Sequence, residues 1–117
     1  MKIGEFSRKY NVAPSKIRYY IQYGILVPEV KNGQYRFNRN CIRDMDYAVE
    51  LQQMRFSLKD ILEVITLYRK FSAFQPQDMQ HLIEIFSKQR QSLQKEMDET
   101  YEQEKLLNLH CQCPTKA

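Results

Sequence analysis

The stretch PSKIRYYIQYGIL, residues 14–26, carries a lysine, an arginine and three tyrosines on little more than two helical turns, with no acidic residue. Pro14 suits the first position of a helix, where its missing N–H has no acceptor to lose. Gly24 suits the left-handed residue that ends one. Between them Ile17, Tyr20 and Ile21 share a face, while Lys16, Arg18, Tyr19, Gln22 and Tyr23 cover the rest. A helix needed only for packing has no use for so many long, polar-tipped side chains on its outside.

Upstream, IGEFSRKY (3–10) sets Ile3, Phe6 and Tyr10 at helical spacing, with Gly4-Glu5 opening the helix, and NVAPS (11–15) reads as a turn. Two short helices joined by a tight turn make a helix-turn-helix candidate. Downstream, ILVPEVKNGQYRFNRN (25–40) offers two short strands, one marked by Leu26, Val27 and Val30, the other by Tyr35 and Phe37. Asn32-Gly33 between them is the pair that tolerates positive φ at both centres of a tight hairpin turn. A hairpin directly after a helix-turn-helix is a wing, and this one carries Lys31, Arg36 and Arg39.

Beyond it, Ile42, Met45, Ala48, Val49 and Met54 predict a helix with Asn40 at its N-cap. SLKDILEVITLYRKF (57–71) predicts another, opened by Ser57 and Asp60 in a capping-box-like pair. Its apolar face is Leu58, Ile61, Leu62 and Ile65, with Tyr68 or Phe71. Pro76 in SAFQPQD breaks the pattern, and the 34 residues from 77 to 110 hold no Pro or Gly. Fully helical, that segment would span about 51 Å at 1.5 Å per residue. Met79, Leu82, Ile83, Phe86, Leu93, Met97 and Leu107 recur near a seven-residue step, interrupted at Gln89-Arg90. Such a seam either folds back on its own domain or pairs with another copy. Pairing is the expectation, because the seam alone leaves apolar surface exposed.

Composition bounds the rest. A chain of 117 residues, 43% hydrophobic and 27% charged with mean hydropathy −0.64, is one ordinary domain or a smaller domain with an extension. No apolar run approaches a membrane span, and no apolar core follows Lys2, so a cytoplasmic location without membrane association is expected. Three cysteines do not make a disulfide framework. The net charge of +4 is segregated. Residues 1–43 hold nine Lys and Arg against Glu5 and Glu29, or +7, while residues 44–117 come to −3. Scattered basic charge is usually a solvated face, but charge confined to one segment favours a polyanionic partner, nucleic acid before an acidic membrane. Enzymatic chemistry has little to stand on. His81 and His110 are the only histidines, and no motif supplies a glycine-rich phosphate loop or a nucleophile–base pair.

Three motifs in this order, MKIGEFSRKYNVAPSKIRYYIQYGIL, NGQYRF and LQQMRFSLKDI, resemble the MerR family of transcription factors. The resemblance extends over residues 1 to about 110. It implies a mainly α fold, with a winged helix-turn-helix DNA-binding domain over 1–71, a helical pair within it, a long coiled-coil dimerisation helix over 77–110 and a short tail, 111–117. It implies a homodimer on double-stranded promoter DNA, and activation by bending and untwisting an overlong promoter spacer so that RNA polymerase engages. Carried onto this chain, it gives Arg18 and Tyr19 as contacts from the recognition helix, and Tyr35 and Arg36 as backbone contacts from the wing.

Side-chain chemistry agrees. Arg18 is forked and always charged, suited to a phosphate or to guanine O6 and N7. Tyr19 can reach a phosphate oxygen while its ring packs on sugar. Ser15 and Lys16 begin the helix, where unbonded N–H groups favour phosphate. Tyr35 could instead serve wing packing, and Tyr23 could cover Gly24. Leu82, Phe86, Leu93 and Met97 are the expected dimer contacts. Ala13 stands where the family usually places a capping Ser, Thr or Asn, and Ile21 stands at a position often polar.

The effector is open. Metal-sensing relatives place Cys or Ser near the start of the long helix and a Cys-bearing loop after its end. Here Ser72, Gln77 and Asp78 surround the start, and HCQC supplies His110, Cys111 and Cys113 near the end. A Cys-x-Cys alone is half a site, so no metal or cofactor is assigned. A small-molecule effector remains open. Two alternatives stand beside the main reading. One is a thiol- or metal-responsive sensor using Cys111 and Cys113. The other is the excised DNA-binding part of a multidrug-type regulator with a separate ligand-binding domain. Cys41 is expected in the core.

Overall fold

A computed structural model describes residues 1–112 in two compact units, Met1–Gln75 and a second that begins at Pro76. In the first, α1 (Ile3–Tyr10) ends at Asn11 in the left-handed region, φ 53°, with the Asn11 N–H donating to Arg8 O and the Val12 N–H to Ser7 O. The Ser7 hydroxyl donates to Val12 O as well, so the turn is tied three times. Helix α2 (Pro14–Tyr23) starts from Ala13 without a side-chain cap; the Ala13 carbonyl accepts from the Lys16 and Ile17 N–H groups, and proline removes one orphan donor. Gly24 closes α2 at φ 96°. A β-carbon there would meet Leu62 Cδ1 at 3.7 Å, an ordinary contact, so backbone conformation and not space selects glycine.

The hairpin is shorter than the sequence predicts. Strands β1 (Glu29–Lys31) and β2 (Gln34–Arg36) pair antiparallel, with Val30 opposite Tyr35 and Lys31 opposite Gln34. Asn32 and Gly33 turn between them at φ 53° and 72°. Leu26, Val27 and Phe37 lie outside the ladder. The Leu26 N–H bonds to Tyr20 O and the Phe37 N–H to Met1 O at 2.7 Å, so local closure of α2 and the N-terminal strap claim those groups instead. Phe37 then stacks on Phe6, centroids 4.4 Å apart.

Helix α3 (Arg39–Gln53) is capped by Asn38, whose side chain accepts from the Cys41 N–H at 3.2 Å. The cap is therefore not Asn40, which already lies in the first turn; Asn38 has the extended backbone a cap requires, φ −101° and ψ −171°. The helix stops at Gln53, leaving Met54 exposed instead of on the apolar face. Helix α4 (Leu58–Arg69) follows from Ser57, which accepts the Asp60 N–H at 3.2 Å as expected. A 3-10 turn (Phe71–Ala73) then ends the unit's helical part.

The core of this unit is Phe6, Ile17, Ile25, Leu26, Met45, Ile61, Val64 and Ile65, all 2% exposed or less. Cys41 joins it, and burial pushes its thiol above the ordinary value. Burying each large apolar side chain is worth about 1.5–3 kcal/mol. One ionic tie crosses the unit. The Arg69 guanidinium donates to Asp44 Oδ2 at 3.0 and 3.3 Å, to Ile25 O at 2.6 Å and to Gly24 O at 3.3 Å. It thus joins the end of α4 to α3 and to the two residues that terminate α2. The second unit is the long helix α5, Pro76–Gln112, with Pro76 at its first position and not as a stop before it.

Candidate nucleic-acid interface

Recognition helix and wing reach one concavity. A cavity of about 420 Å³ within the first unit is lined by Lys2, Gly4, Glu5 and Arg8 from the start of the chain, by Arg18 from α2, and by Gln34 and Tyr35 from the wing. Arg18 and Tyr35, far apart in sequence, therefore meet there. Ser15, Lys16, Tyr19 and Arg36 do not line it.

Each has its own surroundings. Ser15 is exposed beside the open N-terminus of α2. Lys16 is half-buried: its Nζ donates to Gln52 Oε1 at 3.3 Å and lies 5.6 Å over the Tyr20 ring. Tyr19, 47% exposed, leans toward Tyr23 with ring centroids 6.2 Å apart, which directs it outward. Tyr20 and Ile17 are buried, and burial raises the Tyr20 phenol above its usual value, keeping it neutral. Tyr35, 38% exposed, lies beside Phe37, just past the end of β2, with the rings 6.3 Å apart. Arg36 between them takes the opposite side, as strand alternation requires.

The electrostatics are one-sided. Among the described residues, Lys2, Arg8, Arg18, Lys31, Arg36 and Arg39 make no ion pair and no side-chain hydrogen bond. Glu29 accepts from Asn38 instead, at 3.4 Å. Cations without carboxylate partners keep their charge available to an external anion. Lys2 and Arg8 were not singled out in the sequence. Their signal was the charge count of residues 1–43, which does not say which cations converge.

Along α5, Leu82 is buried, Phe86 and Leu93 are half-buried, and Met97 is 60% exposed. At 3.6 residues per turn, Met79, Ile83, Phe86, Leu93, Met97 and Tyr101 fall within roughly 80° of arc. Tyr101, absent from the sequence-derived seam, fits this stripe better than Leu107, because a strict heptad drifts about 20° per repeat on a straight helix. Leu82 has little surface left to offer a second copy. Cys111 is exposed on the last turn, while Cys113 lies outside the described residues. Among the described residues no three His, Cys, Asp or Glu side chains cluster closely enough to hold a metal, and no helix is long and apolar enough to cross a membrane.

Residues 1–67 match the family described as MerR HTH family regulatory protein. The HTH-type transcriptional regulator HmrR of Sinorhizobium medicae (strain WSM419) is 32% identical over 71 residues, covering 59% of this chain and 48% of its own. The chain thus spans about half the length of that curated relative. Two solved structures share the fold. The lead(II) complex of the transcription regulator PbrR691 from Ralstonia metallidurans CH34 aligns over all of this chain and 90% of its own, with TM-score 0.70 and 17% identity. The EcmrR–DNA complex in EcmrR-RPo aligns over 96% of this chain and 38% of its own, with TM-score 0.71 and 22% identity.

Proposed function

The chain belongs to the MerR HTH family of regulatory proteins, and from that membership we propose that it is a dimeric regulator of transcription. It binds promoter DNA through α2 and the wing and acts by distorting the promoter for RNA polymerase. The observation that carries the reading is the convergence of unpaired cations, Arg18 among them, on a concavity flanked by recognition helix and wing. Helix α2 enters the major groove with Arg18 and Tyr19 outward, Ser15 and Lys16 sit at its phosphate-facing end, and Tyr35 and Arg36 hold the backbone beside it.

Two copies joined through the α5 stripe present two such surfaces at one spacing and twist. A promoter of different spacing has to bend to meet both, at a cost on the order of 1–6 kcal/mol that several phosphate contacts offset. An effector that alters the angle between copies alters promoter geometry while the protein stays bound. The test is footprinting on the upstream promoter. Protection of both half-sites with enhanced reactivity at the operator centre supports the mechanism; an undistorted duplex with simple steric repression refutes it. A second reading concerns the effector. The exposed Cys111 lies in the last turn of α5, and PbrR691 was solved with lead(II), so a soft metal or a thiol oxidant is the ligand class to try first.

A further inference from the structure

The cleft between α1, α2 and the hairpin holds more charge than either proposed DNA contact within it, Arg18 or Tyr35, accounts for. Arg8 is exposed and unpaired, and its guanidinium folds back across Gly4, with Nη1 3.7 Å from where a β-carbon would stand. Lys2 and Arg18 add two further cations to the same lining, and Glu5 is its one carboxylate. Among the described residues Glu5 pairs with none of the three. The net charge of the lining is thus +2, in a concavity of about 420 Å³ that Tyr35 and the Gly33 turn also line. Such an enclosure strengthens the attraction of an anion above that of the same charges on a flat surface. The N–H groups of Ile3, Gly4 and Glu5 precede the first intrahelical bond, that from Phe6 N–H to Lys2 O, and have no acceptor within the helix.

We propose that this cleft seats one phosphodiester of the DNA strand running between recognition helix and wing, held by Arg8 and Lys2 together with Arg18. This rests on the DNA-binding reading above and deepens it. Two residues of α1 and the segment before it join the interface, and Arg18 is assigned to backbone rather than to a base edge. Both additions work without regard to sequence, because a phosphate is the same at every step. Glu5 sets the limit of the site: it admits a singly charged diester beside it but opposes a more highly charged free phosphate.

The test uses the full chain and the salt dependence of duplex binding. Arg8→Gln and Lys2→Gln should each reduce the slope of log affinity against log salt by about 0.9. Wild type should then lose about 3.5-fold more affinity than either variant between 50 and 200 mM salt. The loss should be equal on operator and unrelated duplexes, and Lys59→Gln, an exposed cation on α4, should leave the slope unchanged. Among the described residues the Arg8 and Lys2 side chains make no hydrogen bond or ion pair, and their backbone bonds survive the substitutions, so circular dichroism and melting of both variants should match wild type. If wild type binds duplex with strong salt dependence and Arg8→Gln keeps the same slope, the seat is refuted while DNA binding stands. A loss confined to one operator variant refutes the backbone assignment. Saturable binding of inorganic phosphate that Arg8→Gln abolishes refutes the DNA source, and salt-insensitive wild-type binding refutes the underlying reading as well.

Discussion

Replacing Arg69 with methionine keeps an unbranched apolar stem, two atoms shorter, and removes the charge and all five donors. Four bonds go: two to Asp44 at 3.0 and 3.3 Å, one to Ile25 O at 2.6 Å and one to Gly24 O at 3.3 Å. Asp44, 3% exposed, then faces only Arg43, whose Nη2 is 3.3 Å away. Breaking a buried pair by deleting one partner costs about 3–5 kcal/mol. Arg69 is 27% exposed at its side chain and Arg43 stays, so about 2–4 kcal/mol is the appropriate expectation. That is a large part of the roughly 5–15 kcal/mol a domain has. Urea unfolding at fixed protomer concentration should show a lower midpoint with an unchanged slope. Asp44→Leu combined with Arg69→Met should recover part of the loss, since removing both charges leaves neither buried alone. Below the unfolding region, the single variant should also bind duplex more weakly, because the two carbonyls it releases belong to the residues that end the recognition helix. A cost under about 0.5 kcal/mol, or a double variant no better than the sum of the singles, refutes the clasp.

Other outcomes follow from the same geometry. Arg36→Ala should weaken binding to all duplexes alike and flatten their salt dependence; a loss selective for one operator would contradict its backbone role. Glu at both Phe86 and Leu93 would put like charges into a symmetric contact, so sedimentation should report a monomer, and a persistent dimer would displace the seam. Tyr10 titrates far above the usual phenol range, first through burial and then through Asp46, 2.8 Å from its hydroxyl. The folded state thus keeps a proton that the unfolded chain releases near pH 10, so stability is lost as pH rises past about 10. Tyr10→Phe should be less stable at neutral pH and show a shallower loss above it. Thiol-reagent counts for wild type and Cys41→Ser should show the same number of fast-reacting groups, since Cys41 is buried and its thiol raised.

Local chemistry made the hairpin turn and the limits of α2 legible: Asn32-Gly33, Pro14 and Gly24 each suit backbone conformations few residues accept. The caps were harder. In FNRN both Asn38 and Asn40 are good caps, and the choice went to Asn38, whose neighbour Phe37 is fixed by stacking on Phe6. Leu26 and Phe37 read as strand because they are apolar beside strand residues, yet their N–H groups bond to Tyr20 O and Met1 O. Of the interface, Arg18 and Tyr35 could be named, but not their meeting with Arg8, which depends on how α1 lies against the wing. Arg69 was invisible for the same reason. Nothing near it in sequence announces an acceptor 25 positions upstream in Asp44 or further back in Ile25.

The turn that makes the wing also gives it a clock. Asn32-Gly33 is exposed, and an asparagine followed by glycine is the peptide pair most prone to cyclise through its side-chain amide, because no side chain shields the attacking backbone nitrogen. Opening of the succinimide leaves aspartate or isoaspartate. Either adds a negative charge between Lys31 and Arg36, and isoaspartate also lengthens the main chain by one carbon at the point where Lys31 and Gln34 pair. Ageing at mildly alkaline pH would therefore cancel the net +1 of hairpin residues 29–36 and weaken their pull on an anion, while the core of Phe6, Ile17 and Ile65 stays as it was.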